Sequence, residues 1–274
     1  MINNAKHLVL SLSSLLILTA CGGGGGSDIN NGIEINQSTK PATVKMEIDG
    51  NIVNVKGGKA TGKKYTQSDD KDILIVDGKK LRLTAGFTDG ADLALHDHMV
   101  YHNSTAYARY GLSAINPEYD GSIDEKTDLI FYYQGEATPV NAMPKTGSIT
   151  YTSGEQRTES KNGNNPLAFL NGGAVMLDKD NKQIFGDVVL KADFDNKKLT
   201  GTAGYWWGQS KVYAQEKYEH IPINADIKGN KFSGTKNNVT TEGKFFGPNA
   251  DSVGGTFHDK NQNLRGSFAA TKDK

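Results

Sequence analysis

Three histidines lie within seven residues, in the run His96-Asp97-His98-Met99-Val100-Tyr101-His102. Imidazole nitrogen is a good ligand for haem iron, zinc or copper. Met99 adds a soft donor, and Tyr101 adds a ring that can stack. Which donors converge depends on the element beneath them. On a strand His96 and His98 share a face, whereas on a helix His98 and His102 do. The competing expectation is a polar surface loop with hydrogen-bonded histidines. Within the ligand reading, one histidine as axial ligand to haem iron is favoured over a zinc site, with Asp97 supporting rather than touching the metal. His220 and His258 have no second histidine near them in sequence. Trp206 and Trp207 are the only tryptophans. With Tyr213 they are candidate partner contacts in a stretch that follows a strand; the plainer expectation is core and rim packing. Tyr107, Tyr110, Tyr132 and Tyr133 pose the same choice, with alternate positions expected in the core.

The single cysteine, Cys21, offers different chemistry, because a thiolate can accept a diacylglycerol group. Lys6 precedes an apolar run from Leu8 to Leu18, which is too short to span a bilayer. Leu18-Thr19-Ala20-Cys21 then resembles a bacterial lipobox. Residues 1–20 are therefore expected to be a signal peptide, with lipidation at Cys21 and palmitate-type acyl chains as the membrane link. Gly22 to Gly26, Ser27 and the polar run to Lys40 read as a flexible tether over 21–40. Gly22 stands where an aspartate would favour inner-membrane retention, so the outer membrane is expected.

Composition narrows the remaining classes. The chain holds 31 basic and 31 acidic residues, so no basic excess points to nucleic acid. With Cys21 lipidated, no thiol is left for a disulfide, for catalysis or for zinc. Gly-x-Ser-x-Gly, His-Glu-x-x-His and a phosphate-binding glycine loop before a helix are all absent from the sequence. No catalytic set is expected, and no metal beyond a haem iron.

The elements that must position these residues read as β almost throughout. Asp49-Gly50 within Lys45–Val55 and Asp77-Gly78 within Asp72–Thr84 predict two hairpin turns. Tyr107–Ile115 and Leu129–Tyr133 are further strands. A turn or two of helix is expected near Ala91–Met99. Beyond Gly147, strands alternate with tight turns at Asp195-Asn196 and Gly229-Asn230. The sequence then predicts strands over Thr241–Phe246, Gly254–His258 and Leu264–Ala270. About eight such strands suit a closed antiparallel barrel or a sandwich. Pro139 and Pro144 mark the expected boundary.

The second half then becomes specific. Asp193-Phe194-Asp195-Asn196-Lys197-Lys198-Leu199-Thr200-Gly201 is followed by Ile227-Lys228-Gly229-Asn230-Lys231-Phe232-Ser233-Gly234. Gly243-Lys244-Phe245-Phe246-Gly247-Pro248-Asn249-Ala250, Val253-Gly254-Gly255-Thr256-Phe257 and Gly266-Ser267-Phe268 complete the pattern. This resembles the barrel domain of the transferrin-binding protein B family, over roughly residues 145–274. That family has two lobes, whereas one barrel behind a small β-domain is similar to its single-lobed relatives. These include hemophilin-type haem binders and the lipoprotein partner of the haemoglobin–haptoglobin receptor. Tyr107-Ala108-Arg109-Tyr110-Gly111, Phe131-Tyr132-Tyr133-Gln134-Gly135 and Met143-Pro144 resemble the small haem binders. No haem ligand carries over by motif.

The resemblance implies export by a surface-lipoprotein translocon and cooperation with a TonB-dependent outer-membrane receptor. The expected chain is all-β. A small N-terminal β-domain at 41–140 carries ligand or partner binding, and an eight-stranded antiparallel barrel occupies 141–274. The expected function is that of a non-enzymatic, surface-exposed outer-membrane lipoprotein that binds haem or a host haemoprotein in iron acquisition. The alternatives are a binder of transferrin or a complement regulator, and a surface colonisation factor that touches no haem.

Overall fold

A computed structural model describes residues 46–56, 59–60, 62–83, 99–114, 127–153, 172–178, 180, 183–205, 219–261 and 263–273. Residues Val44–Lys274 form one compact unit. The described residues fold into strands and one 3-10 turn, Val140–Ala142. Three sheets result.

The first contains β1 (Ile48–Lys56) and β2 (Lys59–Ala60). A separate small sheet follows in the chain: β3 (Tyr65–Thr66), β4 (Ile73–Val76) and β5 (Lys79–Arg82). The chain then returns to the first sheet through β6 (Met99–Ser104), β7 (Ala108–Ala114) and β8 (Asp128–Glu136). Its order is β2-β1-β8-β7-β6, and every pairing is antiparallel.

The rest is a barrel. Its strands are β9 (Ser148–Thr152), β10 (Gly172–Leu177), β11 (Gln183–Gly186) and β12 (Val188–Asp193). They continue with β13 (Lys198–Tyr205), β14 (Glu219–Lys228) and β15 (Lys231–Lys236). β16 (Val239–Phe246), β17 (Ser252–Asp259) and β18 (Leu264–Lys272) complete them. Consecutive strands pair from β12 to β18, and β9 pairs with both ends of that run. The ring of eight is closed, so the barrel reading holds over the sandwich. Closure leaves no open edge in that ring. β10 and β11 extend the same sheet beside β18.

Period-two patterning marks the barrel strands that face solvent, whereas β17 and β18, which lie under the first sheet, are buried almost throughout. Along β12, Val188, Leu190 and Ala192 are buried while Val189 and Lys191 are exposed. The inward residues meet in an aromatic core. Phe245 lies 5.6 Å from Phe232, 5.8 Å from Phe194 and 6.0 Å from Tyr151, centroid to centroid. Phe257 and Phe268 continue the stack. The Tyr151 hydroxyl donates to the Ala250 carbonyl at 2.8 Å, so this polar atom is satisfied inside.

The first sheet is different, because both of its faces are covered. Leu129, Phe131 and Tyr133 of β8 pack with Tyr110 and Leu112 against the outer barrel wall at Val175, Leu177, Phe246 and Ala269. Ile130 and Tyr132 face the opposite way, onto Leu74, Val76, Leu81 and Leu83 of the small sheet and its margin. Tyr132 and Tyr133 are therefore both buried. The expectation that only alternate tyrosines enter a core fails here, since it presumes one solvated face.

The turn at Asp77-Gly78 forms as expected, with both residues at positive φ. The turn expected at Asp49-Gly50 does not. β1 runs straight through it, paired with β8 from Ile48 to Lys56. Gly50 serves close approach instead: a Cβ there would lie 2.2 Å from the Tyr133 carbonyl oxygen. A hairpin that the sequence reading did not single out is made by Asn237 and Asn238, both at positive φ between β15 and β16. β11 and β12 are parted only at Asp187.

Candidate binding surface

The barrel interior comes first, because it decides what the barrel can hold. Its described lumen is filled by Phe194, Phe232, Phe245, Phe257, Phe268 and Tyr151, together with aliphatic side chains. A small closed barrel of this kind is a packed core, without room for a porphyrin. A bound molecule would have to sit outside this described lumen.

One open cleft of about 830 Å³ lies where the start of β1, the end of β8 and the loop before β4 meet. Its lining carries Glu47, Asp69, Asp70, Asp72 and Glu136, against Lys71 as the one basic residue. The loop is pinned from several sides. Gln134, fully buried in β8, donates through Nε2 to the carbonyls of Lys71 at 2.7 Å and Ile73 at 3.0 Å. Arg109 Nε donates to Asp72 Oδ1 at 2.6 Å, and Lys71 pairs with Glu136. The Asp72 amide donates to Asp70 Oδ1 at 2.8 Å. Such half-exposed pairs each contribute roughly 0–1 kcal/mol, so they set loop shape more than stability. The sequence signal was visible as Asp69-Asp70-Lys71-Asp72 but carries no chemistry until the fold adds Glu47 and Glu136.

A second polar group ties β1 to the barrel. Lys244 on β16 pairs with Asp49, and Asn51 donates to Glu242 Oε1 at 2.7 Å. The Lys244 side chain is 7% exposed, and burial lowers its amine to about 8. Beside it the Thr138 hydroxyl donates to the Gly247 carbonyl at 2.7 Å, and Ala137 bridges to Phe246. Burial also raises Tyr65 to about 12 and raises Tyr133 further. His258 is lowered by burial and then by the charges of Arg265 and Lys260, against the pull of Asp259. None of these groups forms a nucleophile–base pair.

The residues singled out from sequence fall largely elsewhere. Cys21, His96, His98, Trp206, Trp207 and Tyr213 lie outside the described residues. The stretch expected to turn helically also lies outside them, up to residue 98. His102 is on β6, where its backbone stands opposite Gly111. A strand at Met99–Ser104 removes the helical arrangement as the way of aligning His102 with His98. Among the described residues, no three of His, Cys, Asp and Glu converge as a metal site would require.

Comparison with known proteins addresses the barrel directly. Residues 143–272 match the family model described as the C-lobe and N-lobe β-barrels of transferrin-binding protein B. An uncharacterised protein of Haemophilus influenzae strain Rd is 33% identical over 157 residues, covering 55% of this chain and 45% of that protein. Transferrin-binding protein B of Haemophilus influenzae strain 86-028NP is 32% identical over 167 residues, covering 51% of this chain and 26% of its own. The crystal structure of isotype 1 transferrin-binding protein B from serogroup B Neisseria meningitidis superposes with a TM-score of 0.51 at 20% identity. That superposition covers 83% of this chain and 44% of the other, and it shows the fold. This chain thus spans less than half the length of each of these relatives. Over residues 143–272 the chain is thus similar to the β-barrels of transferrin-binding protein B, in sequence and in fold.

Proposed function

We propose that this chain is a non-enzymatic binding lipoprotein of the outer membrane, anchored through Cys21, whose partner is a host iron-carrying protein. The observation that carries the reading is the family barrel at residues 143–272, with an interior too full for a ligand. A filled barrel acts as a rigid support, so the partner must be met by its outer surface or by the N-terminal sheets. The name of one Haemophilus influenzae relative, transferrin-binding protein B, supports a protein partner. Export by a translocon and cooperation with a TonB-dependent receptor belong to the same proposal. The test uses the soluble chain 27–274 against immobilised transferrin, haemoglobin and haemoglobin–haptoglobin. Saturable binding to one of them supports the reading, and binding to none of them sinks it.

Haem or a haemoprotein is the finer form of this reading. Its support is the group His96, His98 and His102, the last of which stands on β6 outside the barrel. Haem would bring its iron to an imidazole there, and the chain would supply the axial nitrogen and apolar cover. Haemin titration with single alanine substitutions at all five histidines beyond residue 20 separates the cases. Loss of the Soret shift on substituting one of the three supports an axial ligand. A shift that survives the triple substitution excludes that cluster.

A further inference from the structure

β9 and β10 are separated by 19 residues of chain (153–171), yet they occupy the same place in the barrel wall. The register shows this from both sides. Toward β18, Thr152 stands opposite Thr271, and Gly172 stands opposite Ala270, the next rung. One step along β18 is thus matched by 20 steps in the other chain. Toward β12 and β11, Thr152 stands opposite Val189 and Ala174 opposite Gly186. There, three steps are matched by 22. Each side measures the same excess, 19 residues. Two independent edges agree, and both segments run antiparallel to both neighbours.

The splice itself is visible. Ser153 still bonds its left-hand neighbour: its amide donates to the Val188 carbonyl at 2.9 Å, and its hydroxyl accepts from the Val188 amide at 2.7 Å. On the other side that rung is taken by Gly172, opposite Ala270. Gly172 has φ of +117°, and a Cβ there would lie 2.2 Å from the Ala269 carbonyl oxygen. Only glycine allows the chain to re-enter at this point. Beyond the splice, alternation resumes without a slip. Ala174 and Met176 face the barrel core, while Val175 and Leu177 face the first sheet.

We infer that β9 and β10 are two halves of one barrel strand, and that the chain between Ser153 and Gly173 is an insertion which barrel closure does not require. The neighbours β18 and β11–β12 bridge the break, so the wall is held across it by hydrogen bonds to both halves. The fold therefore contains a position where length can change without altering the register of the barrel or its face toward the first sheet. This holds whatever the partner proves to be.

Register makes the test sharp. A one-residue slip sends every side chain of a strand to the wrong face. In the soluble chain 27–274, which contains the whole compact unit, removal of residues 154–172 joins Ser153 to Gly173 in register. Parallel deletions of 154–171 and 154–173 leave the strand one residue long or short. Thermal melts by circular dichroism compare the three. The in-register deletion should melt cooperatively within about 5 °C of the parent, a span of roughly 1–2 kcal/mol for a domain of this size, and above both of the others. Replacing 154–171 by a Gly/Ser segment of equal length should also leave the midpoint within that span. An in-register deletion that melts no higher than its two neighbours overturns the inference. So does loss of the cooperative melt in the Gly/Ser replacement.

Discussion

The barrel and the first sheet bury their strands in opposite ways. Barrel strands such as β12 alternate, with one face in an aromatic core and the other in water. β8 is buried from Leu129 to Gly135 without alternation, because the barrel wall covers one face and the small sheet the other. The barrel removes its edges by closing on itself. The first sheet gains its stability only as the middle layer of a stack. The two regions therefore differ in dependence: the barrel carries its own core, while the sheet borrows one face from the barrel.

The strongest way to break this comparison is at the barrel core. Phe245→Ala removes a ring that meets Tyr151, Phe194 and Phe232, and should cost about 3–5 kcal/mol in denaturant unfolding. Both regions should unfold together, since the sheet leans on that wall. A loss below 1 kcal/mol would show that the ring is not central.

The dependence can be tested directly. The barrel alone, residues 141–274, should keep a cooperative β melt but expose Val175, Leu177, Phe246 and Ala269. An exposed apolar wall binds hydrophobic dyes and self-associates. The fragment should therefore bind such a dye while the longer chain does not. A soluble barrel with no dye binding would mean that the wall finds other cover. The sheet alone, residues 44–140, should show no cooperative melt.

A smaller effect is expected at the polar tie. The Lys244 amine is lowered to about 8 from an ordinary 10.5. The unfolded chain then binds more protons than the folded one between those values. Stability from this group rises as pH increases from about 8 to 10.5, and the penalty of charging it is in full force below 8. Lys244→Met should flatten that rise and, near pH 7, change stability by about 1 kcal/mol or less, because Asp49 loses its partner as the penalty is relieved. Urea melts of both proteins from pH 7 to 10 would show it, and parallel curves would remove Lys244 as the cause.

The smallest effect belongs to the outer barrel. Lys198 and Asp226 pair across β13 and β14 with side chains 50% and 71% exposed. Lys198→Ala should move stability by no more than about 0.5 kcal/mol. A larger loss in urea melts would mean that the outer wall is not the solvated surface described here.

Much of the barrel was legible because its signals are local. Alternation along β12 needs only one solvated face, and Gly229-Asn230 turns the chain wherever it is placed. The same rules misread the first sheet. Asp49-Gly50 has turn chemistry, but Gly50 is used to let β1 approach β8. Tyr132 and Tyr133 cannot both be assigned to a core by alternation, because the second buried face comes from β4 and β5. The acidic cleft joins residues from Glu47 to Glu136 that share no spacing rule. Of the residues proposed for recognition, only the strand position of His102 is described.

The amino-acid sequence by itself determined the β class, the strand-and-tight-turn pattern of the second half and its resemblance to a known barrel domain, since period, turn residues and a specific run of motifs are properties of neighbouring residues. Only the tertiary structure decided that the first sheet is covered twice, that Lys244 is buried against Asp49, and that β9 and β10 form one strand. Each of these depends on which distant segments meet. Such meetings are fixed by packing and hydrogen-bond register across the whole chain, and no local window of sequence records them.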